Sequence, residues 1–480
     1  MSAPGRRLAA LARDVRELAP VRRVLDLGPF QFLLVLPTAA TVAVVLISSA
    51  VGMEHPSVNF GTVFTWVVWW GGLLLSFVVA GRVWCLVCPV GAAGEWLQRL
   101  SFWWRSSATA GLGLTWPRRL RNMWPATALF VLFVFLDNGY GISNSPRMTA
   151  GLVAVLVLAA AWTDLVFERR AFCRYLCPLT PFIGLGALVS SLELGRRDPA
   201  TCRSRCATKD CYRGNDRRWG CPMDEFPGGE TETKLHCILC TECVKSCPHD
   251  NIAIRFGAPG RDLWLMRRPR LDGAFAAVVI VGLATVVPLL TVAFLADVRR
   301  LFARVLPAGT PPNDPPRLVA VGLLFLIGLG AAVALLYGAS RLSRLAAGDR
   351  AVTARALFTR YAYALVPVGL AKFIADLADH ALRTWGALSG VTRALLLDFP
   401  LNRVLPGKVS VVHLLGPAAV YALQIGVLLA GLLLAVYAMD RISRRLYPDR
   451  EAAFASFLPV AGLGLVLTLV SVWTLGIGLL

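Results

Sequence analysis

Of the 480 residues, 56% are hydrophobic and only 16% charged, against about 45–50% and about 25% in ordinary globular domains, which excludes most soluble classes. The formal charge of +20 would suggest a nucleic-acid partner in a soluble chain, yet the basic residues lie mostly between long apolar runs, where arginine orients membrane proteins. An integral membrane protein is the reading that fits both facts.

The chain opens on a basic arm, residues 1–29, carrying Arg6, Arg7, Arg13, Arg16, Arg22 and Arg23. The apolar run that follows is long enough to span, so no cleavable signal pattern is expected. A spanning helix needs roughly 20 apolar residues. Qualifying runs lie near 30–52, 61–80, 124–142, 149–167, 272–296, 317–340, 357–380, 410–439 and 454–480, about nine helices. Four precede a polar, cysteine-rich stretch and five follow it. A shorter run, 179–192, reads as a re-entrant or interfacial helix. The expected fold is mainly α: a polytopic helical membrane protein with a small α+β ferredoxin-like insertion. Its parts are the arm, a four-helix membrane domain (30–195), a cysteine segment (196–260) and a five-helix C-terminal membrane domain (272–480).

Orientation follows from arginine in the short loops. The arm and the 81–123 loop carry twelve arginines, whereas the opposite loops, 53–60 and 138–148, carry one, Arg147. That bias places the arm and the 196–271 segment in the cytoplasm. The second half gives no bias: loops 297–316 and 381–409 hold seven basic residues, and loops 341–356 and 440–453 hold eight.

Twelve cysteines all lie between residues 85 and 247. Cys237-x2-Cys240-x2-Cys243-x3-Cys247-Pro248 is the bacterial ferredoxin run for a [4Fe–4S] cluster, with zinc as the alternative. Closely spaced cysteines wrap three corners of a cubane, and a remote one closes the fourth. Cys202-x3-Cys206-x4-Cys211-x9-Cys221-Pro222 is a looser copy. Two-cluster ferredoxins exchange fourth ligands, which groups Cys237, Cys240, Cys243 and Cys221 on one cluster. The second cluster then takes Cys202, Cys206, Cys211 and Cys247, the alternative being one cluster plus a structural zinc. The segment 196–256 is nearly balanced, with eleven basic and nine acidic residues, and lacks the basic stripe of a nucleic-acid surface. His236 and His249 beside these cysteines are either cluster-tuning donors or solvated loop residues.

The other four cysteines stand in Cys85-Leu-Val-Cys88-Pro89 and Cys173-Arg-Tyr-Leu-Cys177-Pro178, each just after an apolar run. They admit three readings: ligands of a third metal centre, a thiol–disulfide pair of low pKa, or inert buried thiols. The stretches Gly81–Gly91 (GRVWCLVCPVG) and Arg170–Pro178 (RAFCRYLCP) carry a resemblance to membrane polyferredoxins of the NapH/NosR/CcoG type. It extends over about residues 30–256. The resemblance implies a bacterial cytoplasmic-membrane protein with paired cysteine motifs at helix ends and a cytoplasmic two-cluster segment. This sequence departs from the pattern by a Cys-x2-Cys-Pro first motif, a widened first ferredoxin run and no external loop long enough for a flavin domain.

In the second half, Lys372, Asp376 and His380 share one helical face, with Asp379 beside them. Ionisable groups within a span face a pathway, a partner or a cofactor, unless they reach the interface or pair with one another. His413 is expected on the same side as His380, so the two could ligate a b-type haem or copper or bind a quinone. His55 is expected outside as well. Taken together, these readings give an iron–sulfur electron carrier exchanging electrons with a redox partner protein or a quinone. Two alternatives are an accessory protein that reduces a metal or thiol during enzyme maturation, and a transporter or sensor with structural clusters.

Overall fold

The computed structural model describes residues 14–106, 108–229, 233–305, 315–348, 351–404 and 415–477, with the side chains of 379–381 and 383–387 outside the description. Helices dominate. In chain order the main ones are α1 (Phe30–Val51), α2 (Phe60–Ala80), α3 (Pro89–Arg99), α4 (Trp124–Tyr140), α5 (Pro146–Val166) and α6 (Thr180–Ala187). After the cysteine segment come α7 (Leu271–Ala303), α8 (Pro315–Ala347), α9 (Ala354–Ala364), α10 (Val366–Leu397), α11 (Pro417–Leu446) and α12 (Arg450–Ile477).

Eight helical stretches among the described residues are long and apolar enough to cross a membrane. The ninth expected span is α4, apolar but only 17 residues long. Several spans are apolar all round, as a helix in lipid must be: Trp162, Leu326 and Leu433 are each at least 70% exposed. The run at 179–192 contains α6, every residue of which is buried in protein.

The chain divides into two compact units, one of residues 1–44, 75–126 and 153–262, the other of 45–74, 127–152 and 263–480. In the first, β1 (Leu192–Arg196) pairs antiparallel with β2 (Ile252–Phe256), Arg196 opposite Ile252. This two-stranded ribbon clasps the two ends of the cysteine segment. A strap from the N-terminal arm binds β2: Arg16 donates to Asp250 and to the Ile252 carbonyl, and Asp14 accepts from the Ile254 amide and from Arg197.

The second unit is held by close helix contact and a few buried hydrogen bonds, the forces available where lipid competes for apolar surface. Gly431 of α11 leaves room for Ala371 and Pro367, whose atoms lie 2.5 and 2.7 Å from where a β-carbon would stand. Gln424 donates to the Ala375 carbonyl at 2.9 Å, and the Tyr361 and Ser456 hydroxyls meet at 3.0 Å.

Candidate metal centres

The twelve cysteines are all free thiols and can be taken as three expected sets of four. The first comes from the two Cys-Pro motifs, which repeat one local design. A span ends in a left-handed residue, Gly81 (φ +58°) or Arg169 (φ +62°). A buried arginine follows, Arg82 or Arg170, then two residues and the first cysteine. The second cysteine ends the turn, and its proline opens the stretch leading to the next helix. Proline suits that place because it needs no amide partner there. The unequal spacings are absorbed in the backbone. Val83–Val87 is an α-helical turn, whereas Phe172–Leu176 is a wider π turn closed by the Cys177 amide on the Phe172 carbonyl at 2.8 Å. The residue missing from the first motif is thus the extra residue of a π turn in the second, and the two cysteine pairs still meet.

The two arginines cross over. Arg82 donates to the Cys173 carbonyl at 3.3 Å and Arg170 to the Cys85 carbonyl at 3.2 Å, each motif holding the other's first cysteine. Arg170 is also ion-paired with buried Glu95 of α3, which Arg99 shares. Arg82 instead reaches the Thr180 hydroxyl and the Leu235 carbonyl, at 3.5 and 2.9 Å. Burial pushes the Cys88 thiol up, with Cys85 adding to the rise and the Val90 and Gly91 amides opposing it. Burial likewise lifts Cys177 to about 12, helped by Cys85 and Cys88, and raises Cys173, on which Cys177 and Cys88 also act. For Cys88, Cys173 and Cys177 the direction is thus upward, opposite to the lowered pKa of a reactive relay thiol.

The second set is Cys221, Cys237, Cys240 and Cys243. Burial lifts Cys221 to about 11 and Cys237 and Cys240 to about 12, and it raises Cys243. After burial, Cys237 acts on Cys221, Cys240 on Cys237 and Cys221 on Cys240, while all three act on Cys243. The third set is Cys202, Cys206, Cys211 and Cys247. Burial takes Cys211 to about 11, and Cys247, Cys206 and Cys202 each add to that rise. Asn251 ties this set together, its side chain donating to the Cys202 sulfur at 3.1 Å and its amide to the Cys247 sulfur at 3.4 Å. Cys243 of the second set also feels Cys211 of the third, and Cys211, Cys243 and Cys247 pack in one cluster. The loops between ligands turn sharply, with non-glycine residues at positive φ at Lys209, Asp224, Leu239, Thr241 and Asp250, a conformation that persists where surroundings impose it.

Whether these thiols fit an iron–sulfur cluster can be tested on the protein itself. Among the described residues no three His, Cys, Asp or Glu side chains converge closely enough for a single metal ion. A tetrahedral zinc would hold its thiolates about 3.8 Å apart, given Zn–S near 2.3 Å. Space is kept free of β-carbons where sulfurs gather: one on Gly91 would stand 2.5 Å from the Cys173 sulfur, and one on Gly228 would stand 3.2 and 3.4 Å from those of Cys211 and Cys202. Two buried guanidinium nitrogens, Arg82 Nε and Arg170 Nη2, have no hydrogen-bond partner. Spread thiols, bare glycines and orphaned cationic donors suit a bulky anionic cluster.

The other expected site residues are dispersed. His249 is exposed and His236 half-buried beside Cys237. His55 is exposed and bonds only its neighbour Ser57 at 2.8 Å. Lys372 is paired with Asp376 at 2.5 Å, the neutralising arrangement. His413 and the side chains of Asp379 and His380 lie outside the described residues, so the haem or copper expectation is not addressed. Sequence reasoning missed Arg82, Arg170, Glu95 and Asn251. An Arg-x-x-Cys echo in both motifs was the available signal for the two arginines.

A family described as a 4Fe-4S binding domain matches residues 62–107 and 149–197, the two stretches that contain the Cys-Pro motifs. YccM of Escherichia coli (strain K12), whose name proposes an electron-transport role, is 35% identical over 102 residues, 21% of this chain and 25% of that protein. The uncharacterized protein MJ0750 of Methanocaldococcus jannaschii is 25% identical over 122 residues, 25% of this chain and 42% of its own length. The chain thus spans less than half of either relative. No solved structure matches. The family match supports a 4Fe–4S binding domain over the two stretches that hold the Cys-Pro motifs.

Proposed function

We propose that the protein is a membrane-bound electron carrier with three [4Fe–4S] centres, two in the cysteine segment and one between the Cys-Pro motifs. It passes electrons between a cytoplasmic or quinone donor and a membrane or periplasmic acceptor. The observation that carries this reading is the 4Fe–4S family match over both Cys-Pro motifs, whose four cysteines ferredoxin spacing does not explain, beside eight more free thiols in the cysteine segment. Bound clusters supply one-electron chemistry, for which the protein sets spacing, burial and potential. The chain's own part is structural and electrostatic. Burial excludes water, the glycines leave room, and Asn251 and the arginines direct donors at sulfur or at the cluster space.

The test is iron and acid-labile sulfide per chain in anaerobically purified protein, with EPR after dithionite. Three centres predict about twelve irons, falling to about eight when Cys85, Cys88, Cys173 and Cys177 are all changed to Ala. Equal counts of about eight in both proteins would leave the Cys-Pro motifs without a cluster.

A further inference from the structure

Arg82 is among the most deeply buried large side chains of the molecule, 1% exposed, and its charge is unmatched. Every hydrogen bond it makes goes to a neutral oxygen: the Leu235 and Cys173 carbonyls and the Thr180 hydroxyl. Its Nε has no partner. Glu225 feels its charge but is ion-paired with Arg174 at 3.0 Å. Arg170, its counterpart in the second motif, has Glu95 as partner. A buried cation without an anion costs several kcal/mol, so a protein that keeps one supplies an anion from elsewhere.

The position of Arg82 says where that anion sits. Its carbonyl contacts lie on Cys173, in the first thiol set, and on Leu235, two residues before Cys237 in the second. It also favours the ionised form of both Cys177 and Cys237. Arg170 spans the same gap, being held protonated by Glu95, Cys173 and Cys240 against its burial. Its amide donates to the Pro222 carbonyl beside Cys221 at 3.1 Å.

We propose that Arg82 is the standing counter-charge of a cluster held by Cys85, Cys88, Cys173 and Cys177, shared with the neighbouring cluster of Cys221, Cys237, Cys240 and Cys243, and that it raises the reduction potential of both. The inference rests on the three-centre reading above. Reduction adds one electron to a cluster, lost by the reductant, and no proton moves. The cluster becomes one charge more negative while the guanidinium keeps its charge, so the cation stabilises the reduced form more than the oxidised one. A cation placed between two centres acts on both at once, because its attraction for each adds independently of the other's charge.

The experiment is an EPR-monitored redox titration of the full-length protein, purified anaerobically, with dithionite as reductant, for wild type, Arg82→Gln and Arg82→Lys. Iron is counted in each sample. Arg82→Gln is expected to keep its iron while the reduced-to-oxidised ratio of the two flanking clusters falls at least tenfold at fixed potential, about 59 mV downward for one electron. The cluster of Cys202, Cys206, Cys211 and Cys247 serves as the internal control and moves less. Arg82→Lys restores the charge and most of the potential. Full iron with unmoved potentials in Arg82→Gln overturns the inference, as does a lysine variant shifted as far as the glutamine one. Should Arg82→Gln lose iron, Arg82→Lys decides: iron and potentials at wild-type values support the counter-charge, and a lysine variant with full iron but potentials lowered by about 59 mV or more overturns it. A wild-type count of about eight irons, unchanged by removing the four Cys-Pro cysteines, would defeat the three-centre reading instead.

Discussion

Asn251 shows how much one side chain can carry in the cysteine segment. It is 5% exposed, and it donates from the side chain to Cys202 Sγ and to the Asp198 carbonyl and from the backbone to Cys247 Sγ. Its carbonyl oxygen accepts the Asp198 amide. An N–H aimed at a thiolate withdraws charge and eases reduction of the metal it binds. Asn251→Ala is therefore expected to lower the potential of the Cys202 set selectively and to cost about 1–3 kcal/mol of stability through unsatisfied buried groups. A redox titration with a urea melt measures both. A potential unchanged alongside a lowered melt would leave Asn251 a merely structural tie.

Between elements, the contacts that matter are those where backbone approaches backbone. Gly431 brings α11 against Pro367 and Ala371 of α10, and this face also carries Gln424. Gly431→Val would force the helices apart, at a cost of about 1–3 kcal/mol by overpacking. A lowered thermal midpoint in detergent, with iron content unchanged, is the expected result. Unchanged melting would show the pair to be loosely seated. At this scale the sequence was informative about helices, because a long apolar run has few alternatives to a span. For 179–192, a run of fourteen residues is compatible with membrane surface or protein interior, so length alone does not choose. The cysteine motifs were legible because ligand spacing is local. The arginines were not, because nothing in composition tells a basic residue flanking a membrane from one folded inward between two motifs.

Across the first unit, charge also governs how the arm is fastened. Burial would raise the carboxyls of Asp14 and Asp250. It is outweighed by Arg197 and the Arg16 and Ile254 amides at Asp14, and by Arg16 and Arg197 at Asp250, so both lie below the ordinary 3.8. Asp26 and Arg22 complete the cluster. Groups with lowered pKa stabilise the folded form above their ordinary value, and the contribution is lost as pH falls through the lower folded value. Protection factors at 14–18 and 252–256, with exchange corrected for the intrinsic rate at each pH, are therefore expected to be high near about pH 5 and lower below about pH 3, with Asp14→Asn already less protected at the higher pH. Equal protection at both pH values would show that the strap is held by packing alone.

The reach of Arg82 to Leu235 crosses 153 positions of sequence, and that distance has a consequence for biogenesis. A ribosome delivers Arg82 to the bilayer surface long before Cys173, Cys177 or Leu235 exist. Until they arrive, its guanidinium has to stay in water or against lipid headgroups. The first span pair cannot settle into its final seat on its own, because doing so would bury an unmatched charge. Closure of the Cys-Pro set is thus a late event, reached only when the chain has been made past residue 235.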